Sequence, residues 1–418
     1  MKIRFLGAAG TVTGSRYLLT HDNTRLLIDC GLFQGVKTIR SRNWKPFPVH
    51  PREIQAVVLT HAHLDHSGYL PRLMREGFHG HIWSTPATRQ LAEILLIDSG
   101  NLQEEDARHA NRFGYSKHEP AEPLYTSDDA EKVMKQFRTS DYGHPVKVGP
   151  FTIHFSPAGH ILGSATVELR VREGGGERVL VFSGDLGPKG TPILRDAQPV
   201  PHADLLLLES TYGGRAHRDR ESTLAEISDV LESAWNAGGN VLIPAFAVGR
   251  SQELLYWFAR NWDEWNMSRW KIFLDSPMAT KVVGVYDDHE SLFDEAAQEV
   301  WRGRPHPFRL PNLNFSVEVE ESRAINDHRG GAIIIAGSGM CNGGRIRHHL
   351  RQNLGRKETH VMFVGYQAYG TLGRRLVDGA REVKLFGESV HVNAQLHTVG
   401  GLSAHADQPA LVDWYSHV

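Results

Sequence analysis

The 418-residue chain reads as an α/β protein in two textures, sheet-rich to about residue 213 and then a repeat of strand, turn and helix. Two observations predict this. Short apolar runs separated by turns recur at residues 3–6, 26–29, 56–60, 152–155, 165–171, 178–183 and 204–209, with a helix through 87–103. Later, residues 241–243, 272–274, 332–336 and 361–364 are near-continuous apolar runs, each followed by a loop and a helical stretch such as 251–260. That is the texture of buried parallel strands joined by crossover helices. Gly174-Gly175-Gly176 between two alternating runs predicts a hairpin turn. Leu224, Ile227, Leu231 and Trp235 recur at helical spacing as an ordinary core stripe. From about residue 380 the chain is strand-rich again, at 383–386 and 390–397, before a helix over 408–415. The expected organisation is 1–213, 214–379 and 380–418.

Bulk properties exclude several classes. With 40% hydrophobic and 22% charged residues, the composition is that of an ordinary soluble protein. No stretch approaches a membrane span, and Met1-Lys2-Ile3-Arg4-Phe5-Leu6-Gly7 lacks the apolar region of a signal peptide, so a cytoplasmic location and no membrane partner are expected. Cys30 and Cys341, the only cysteines, argue against a disulfide framework and a thiolate metal site. A net charge of −2 gives no global basic signature, so any nucleic-acid contact must be local.

Residues 60–66 read Thr-His-Ala-His-Leu-Asp-His at the end of the apolar run Ala56-Val57-Val58-Leu59. Neither packing nor solubility asks for that cluster. Alternate residues of an extended run share a side, so His61 and His63 can face one metal, while Asp65 and His66 on the following turn face a second. Imidazole with carboxylate suits zinc, ahead of iron or manganese. Asp29, His160 in Pro157-Ala158-Gly159-His160 and Asp185 in Ser183-Gly184-Asp185 each follow an extended run. Singly, each reads as a turn residue.

Taken together, in order and type, these residues resemble the metallo-β-lactamase superfamily. The resemblance implies an αββα sandwich of two mixed sheets flanked by helices. It implies His61, His63 and His160 on one zinc ion, Asp65 and His66 on another, Asp185 bridging the two, and Asp29 orienting a ligand from behind. Three further segments narrow it: Glu209-Ser210-Thr211-Tyr212-Gly213, the run from Ala336-Gly337-Ser338-Gly339-Met340 to Arg345, and Gly401-Leu402-Ser403-Ala404-His405-Ala406-Asp407. With them the whole chain resembles the β-CASP nucleases, in the branch that includes the endonuclease of messenger-RNA 3′-end formation. An α/β insert of mainly parallel sheet is then expected to cap the metal edge. RNA is the implied partner and substrate; a homodimer is left open.

Two metals would polarise a phosphodiester and lower the pKa of a bridging water. The leaving oxygen needs a proton, and His405 held by Glu209 matches the family's pair for supplying it; with Asp185 these are the expected catalytic residues. The insert's glycines let amides approach phosphates, and Arg345, Arg347, Arg351, Arg356, Lys357, Arg374 and Arg375 face one acid, Glu358, over the same span. Arg250, Ser338, Gly339, Arg345 and Ser403 are the expected phosphate contacts. The competing functions are a thioester or lactone hydrolase of the same superfamily and a non-catalytic scaffold, which would have lost ligands. The family's pattern continues past residue 407 to a further histidine that completes the second metal site and separates RNA-cleaving from DNA-repair members. His417 arrives too early to be that residue. One well-filled metal position and a weaker second one are therefore expected, with RNA chosen on the Gly-Ser-Gly-Met and Ser-Ala-His segments.

Overall fold

The structure, a computed structural model, describes residues 1–303 and 305–418. It divides into two compact units: Met1–Thr191, Arg195–Gly214 and His405–Val418 form one, Pro192–Leu194 and Arg215–Ala404 the other.

The first unit holds two sheets. One runs β1 (Lys2–Phe5), β2 (Tyr17–His21), β3 (Thr24–Ile28), β4 (Ala56–Val58), β5 (His81–Ser84) and β6 (Phe137–Thr139), hydrogen-bonded in that order. Its first pairs are antiparallel, and the pairs from β3 to β6 are parallel. The other contains β7 (Val146–Val148), β8 (Phe151–Pro157), β9 (Ala165–Glu173), β10 (Gly176–Phe182) and β11 (Leu205–Leu207), in the reverse order. Alternation sets which face is buried: Leu26, Ile28 and Val58 from the first sheet share one core with Ile153, Phe155, Val167, Leu169 and Phe182 from the second. The outer face of the second sheet, Val179 and Val181, is covered by Leu411 and Trp414 of the helix Gln408–Tyr415. The β9–β10 turn lies at Gly174 and Gly175, with φ of +60° and +83°, the two positive values that a tight twisted hairpin demands. The helix expected over 87–103 runs from Pro86 to Phe113, started by the Thr85 cap and ended at left-handed Gly114.

The second unit is built on six parallel strands: β12 (Val241–Pro244), β13 (Lys271–Asp275), β14 (Leu313–Phe315), β15 (Ala332–Ala336), β16 (His360–Phe363) and, beyond the hairpin of β17 (Glu382–Leu385) and β18 (Glu388–His391), β19 (Gln395–Thr398). The spatial order is β14-β13-β15-β12-β16-β19. β12, β15 and β16 are buried throughout, as the continuous apolar runs predicted.

By chain contacts the second unit runs on to Ala404, past the boundary at 379 drawn from the sequence texture. β19 pairs in register with β16, and Val383 and Leu385 bury in the same core as Leu350 and Leu354, so residues 380–404 complete the parallel unit. Trp235 is 37% exposed, standing edge-on to Trp270 beneath Arg269, whereas Val230 and Ala234 fill the core stripe with Ile227 and Leu231. Among the described residues no helix is long and apolar enough to cross a membrane.

Candidate metal centre

Backbone contacts place the donors before any ligand is considered. The chain leaves β4 with Leu59 N–H donating to Trp83 O, and Thr60 O accepts from Ala165 N–H, so the segment carrying His61 is tied to both sheets of the first unit. His63 precedes the short helix Leu64–Ser67 that carries Asp65 and His66. That turn is clamped by the loop after β3 and the segment before β2: Cys30 N–H donates to His66 O, Leu32 N–H to Leu64 O, and Ser15 N–H to Asp65 O. Gly31 is required there, since a Cβ would lie 1.6 Å from Asp65 O. His160 follows β8, its N–H bonded to Ser164 Oγ at 3.1 Å, and Asp185 follows β10. Gly187 lets those two loops touch, because a Cβ would lie 1.8 Å from Gly159 O.

The result is a tight four-donor group. Ligand atoms of His61, His63, His160 and Asp185 all fall within 4.8 Å of one another. His61 Nε2 and His160 Nε2 each lie 3.1 Å from His63 Nδ1 and 3.5 Å from Asp185 Oδ2. Asp185 divides its oxygens, for Oδ1 lies 3.4 Å from His66 Nε2, which is 4.0 Å from Asp65 Oδ2. The second group is looser. Behind it, buried Asp29, in the left-handed region at φ +57°, takes His66 Nδ1 on Oδ2 at 2.7 Å. Asp29 also accepts from Ser15 Oγ at 3.0 Å and from Thr60 N–H at 2.9 Å.

Thr60 is the participant that sequence reading passed over. Its hydroxyl lies 3.1 Å from His61 Nδ1 and 3.1 Å from each Asp29 oxygen, joining the orientation of a first-group ligand to the carboxylate that orients His66. The available signal was its place at the strand end directly before His61.

Electrostatics follow from burial and partners. Burial first, then the neighbouring His66, hold His61 neutral, well below the usual imidazole range, and burial likewise depresses His63. His66 goes the other way: burial alone would lower it, but Asp185 and Asp29 raise it well above. Asp185 is held well below the carboxylate range, burial being overcome by His66, His405 and His61.

His405 stands beside this group, its ring 4.6 Å from that of His160 and its Nδ1 3.3 Å from Glu209 Oε2 and 3.9 Å from Asp185 Oδ2. Glu209 is fixed in turn, its Oε1 accepting from Leu186 N–H at 2.6 Å and its own N–H donating to Ser183 Oγ at 3.0 Å. Burial lowers the His405 pKa, but Asp185 and Glu209 outweigh it and raise the value to about 9. Ligand atoms of Asp185, Glu209 and His405 also lie within 4.8 Å of one another, so distance alone admits an ion there as well.

The expected phosphate contacts belong elsewhere and fare differently. Arg345 donates to buried Asp275 Oδ1 at 2.7 Å, to Ser316 O at 3.0 Å and to Val317 O at 2.5 Å. Arg250 pairs with Glu253, and both side chains are largely buried. These two guanidinium groups are engaged by protein partners, so a phosphate would have to compete with a carboxylate for each of them. Ser338 Oγ lies across its own loop, 3.3 Å from Gly343 N. Gly339 packs on the Phe246 ring, which a Cβ would meet at 2.9 Å. Ser403 lies half-buried in the loop leading to His405. Of the wider basic run, Arg351, Arg356 and Arg374 are paired with Glu388, Glu358 and Asp378.

Comparison with known proteins matches three family descriptions. Residues 9–245 match the metallo-beta-lactamase superfamily, 251–376 the Beta-Casp domain, and 389–418 the Zn-dependent metallo-hydrolase RNA specificity domain. A Thermus thermophilus protein named Ribonuclease TTHA0252 is 41% identical over 99% of this chain and 90% of its own length. Proteins named Transcription termination factor FttA from Methanocaldococcus jannaschii and Pyrococcus abyssi are 31% and 32% identical; this chain spans 64% and 65% of their length. In fold, a solved Enterococcus faecalis protein of unknown function is similar at a TM-score of 0.55 and 13% identity, over 100% of this chain and 91% of that one.

Proposed function

We infer the function from membership: this chain belongs to the metallo-β-lactamase superfamily, within it to the β-CASP ribonuclease family, and we propose that it hydrolyses RNA phosphodiester bonds. The observation that carries the reading is the Asp185 carboxylate, one oxygen facing three imidazoles and the other facing His66, with the Glu209–His405 pair alongside. All donors are nitrogen or oxygen, and His61 and His63 are neutral and ready to bind, so the residues fit a divalent cation; zinc is the ion we propose, at two positions. Bound there, the ions would supply Lewis-acid polarisation of the phosphate and a water of lowered pKa.

The chain's own residues do the rest. Asp29 and Thr60 fix the ring orientation of His66 and His61. Glu209 holds Nδ1 of His405, leaving Nε2 to hand its proton to the departing 3′-oxygen as the P–O bond breaks. Products would carry a 5′-phosphate and a 3′-hydroxyl. Endonucleolytic cutting with some 5′ exonucleolytic action, in the cytoplasm, completes the proposal. It is tested by incubating the zinc-loaded chain with end-labelled RNA, matched DNA and a thioester, reading product lengths and end groups. RNA fragments with those ends are expected; thioester turnover without RNA cleavage would overturn the reading.

A further inference from the structure

The carboxyl ends of neighbouring strands β15, β12 and β16 carry three loops that meet in the second unit. Open parallel sheets bind ligands outside this edge, where the loops carry side chains that the sheet core does not constrain. Here the loops are joined through the glycine-rich segment. Gly339, after β15, rests on the Phe246 ring of the loop after β12. Its carbonyl accepts from Gln367 Nε2, in the loop after β16, at 2.9 Å. Gln367 is 4% exposed and also bonds Gly365 O at 3.1 Å, which fixes its loop. Gly373 adds a constraint, since a Cβ there would lie 1.7 Å from Gln367 Oε1.

A loop so firmly held has no packing reason to leave aromatic rings in water. Yet Tyr366 is 57% exposed, Tyr369 91% and Phe246 46%. The three loop segments, 245–249, 337–344 and 364–371, contain no Asp or Glu, so no carboxylate on them opposes a polyanion. Arg375 is exposed on the helix Leu372–Val377 that follows. Exposed rings on firmly held, glycine-rich loops that carry no acids of their own match what an unpaired nucleic-acid strand needs, namely stacking faces with backbone beside them. We propose that Phe246, Tyr366 and Tyr369 form a base-stacking strip that holds an unpaired RNA segment. The inference rests on the ribonuclease reading and adds to it the place in the second unit where an unpaired segment is held.

Because Arg345 and Arg250 are engaged by carboxylates, affinity in this strip comes from rings rather than charge. The test is fluorescence anisotropy of the zinc-loaded full chain with a short phosphorothioate-linked single-stranded RNA, its abasic counterpart and a duplex of the same sequence. Tyr369→Ala, Tyr366→Ala and Phe246→Ala should each weaken binding of the unpaired RNA by roughly five- to a hundredfold. The slope of affinity against salt should stay unchanged, since no phosphate contact is lost. Tyr369→Phe and Tyr366→Phe should bind as the parent does, and the abasic strand and the duplex should bind weakly to all variants alike. Equal affinity of the alanine variants for the unpaired RNA, or equal losses on the abasic strand, would overturn the strip while leaving a cleaving enzyme in place. A parent chain that neither binds nor cuts RNA would sink the ribonuclease reading and the strip with it.

Discussion

In the first unit the strand-end loops bury their polar side chains, His61 at 0% and Asp29 at 1% exposure, and tie both to the Thr60 hydroxyl. In the second unit the loops after β12, β15 and β16 put uncharged rings into solvent, while Arg345 is turned inward to Asp275 and Arg250 pairs with Glu253. Equivalent positions on a strand thus serve opposite ends. Donors that must converge on an ion need a dry, over-determined setting, because a loose imidazole holds metal poorly. Surfaces that must meet a variable chain of bases need rigid rings in water.

The largest effect expected from this contrast lies at Asp185. Asp185→Ala removes the one carboxylate common to both donor groups, and cleavage should vanish with loss of bound metal, read by elemental analysis; full metal content with intact cleavage would break the first half of the comparison. His405→Ala should leave metal content unchanged and slow kcat by roughly 10²–10⁴-fold, the usual worth of a positioned proton donor. If metal is lost instead, the Asp185, Glu209 and His405 group is an ion site.

Thr60→Val keeps shape and removes the hydroxyl that both His61 and Asp29 use. Metal affinity should fall by roughly 10–100-fold, the usual cost of losing such a partner, and Thr60→Ser should restore it. Arg345→Ala sharpens the other half. By leaving buried Asp275 with one partner fewer, it should destabilise the chain by about 3 kcal/mol in denaturant titration. The salt slope of RNA binding should not move; a flattened slope would return Arg345 to the phosphate.

Proton linkage gives the smallest signal. His66 and His405 have raised folded values, so in metal-free protein their stabilisation is fully present below the unfolded value of about 6.5 and is lost as pH rises, through about 9 for His405. Thermal melts of metal-free chain should fall between neutral pH and pH ~10 more than those of Glu209→Gln, in which part of the His405 shift is removed. Identical slopes would show that Glu209 does not hold that proton.

Much of this was legible in the chain itself. Period-two alternation and continuous apolar runs located most strands, because burial on one face or on two leaves those patterns in sequence. The His-Ala-His-Leu-Asp-His run announced its chemistry because nearby ligands on one turn must sit at fixed spacing. Other features were invisible. Asp29, His160 and Asp185 are single residues in loops, and only the folding of β3, β8 and β10 places their side chains at one edge; family resemblance, rather than local pattern, had joined them. The roles of Arg345 and Arg250 could not be read at all, since a guanidinium facing solvent and one facing Asp275 or Glu253 look the same in one dimension. Nor could the end of the second unit, because whether 395–398 pairs with β16 is a matter of long-range register. Spacing determined which residues could act within a turn; tertiary structure alone decided which distant charges meet, because burial and partner choice are properties of space and not of sequence order.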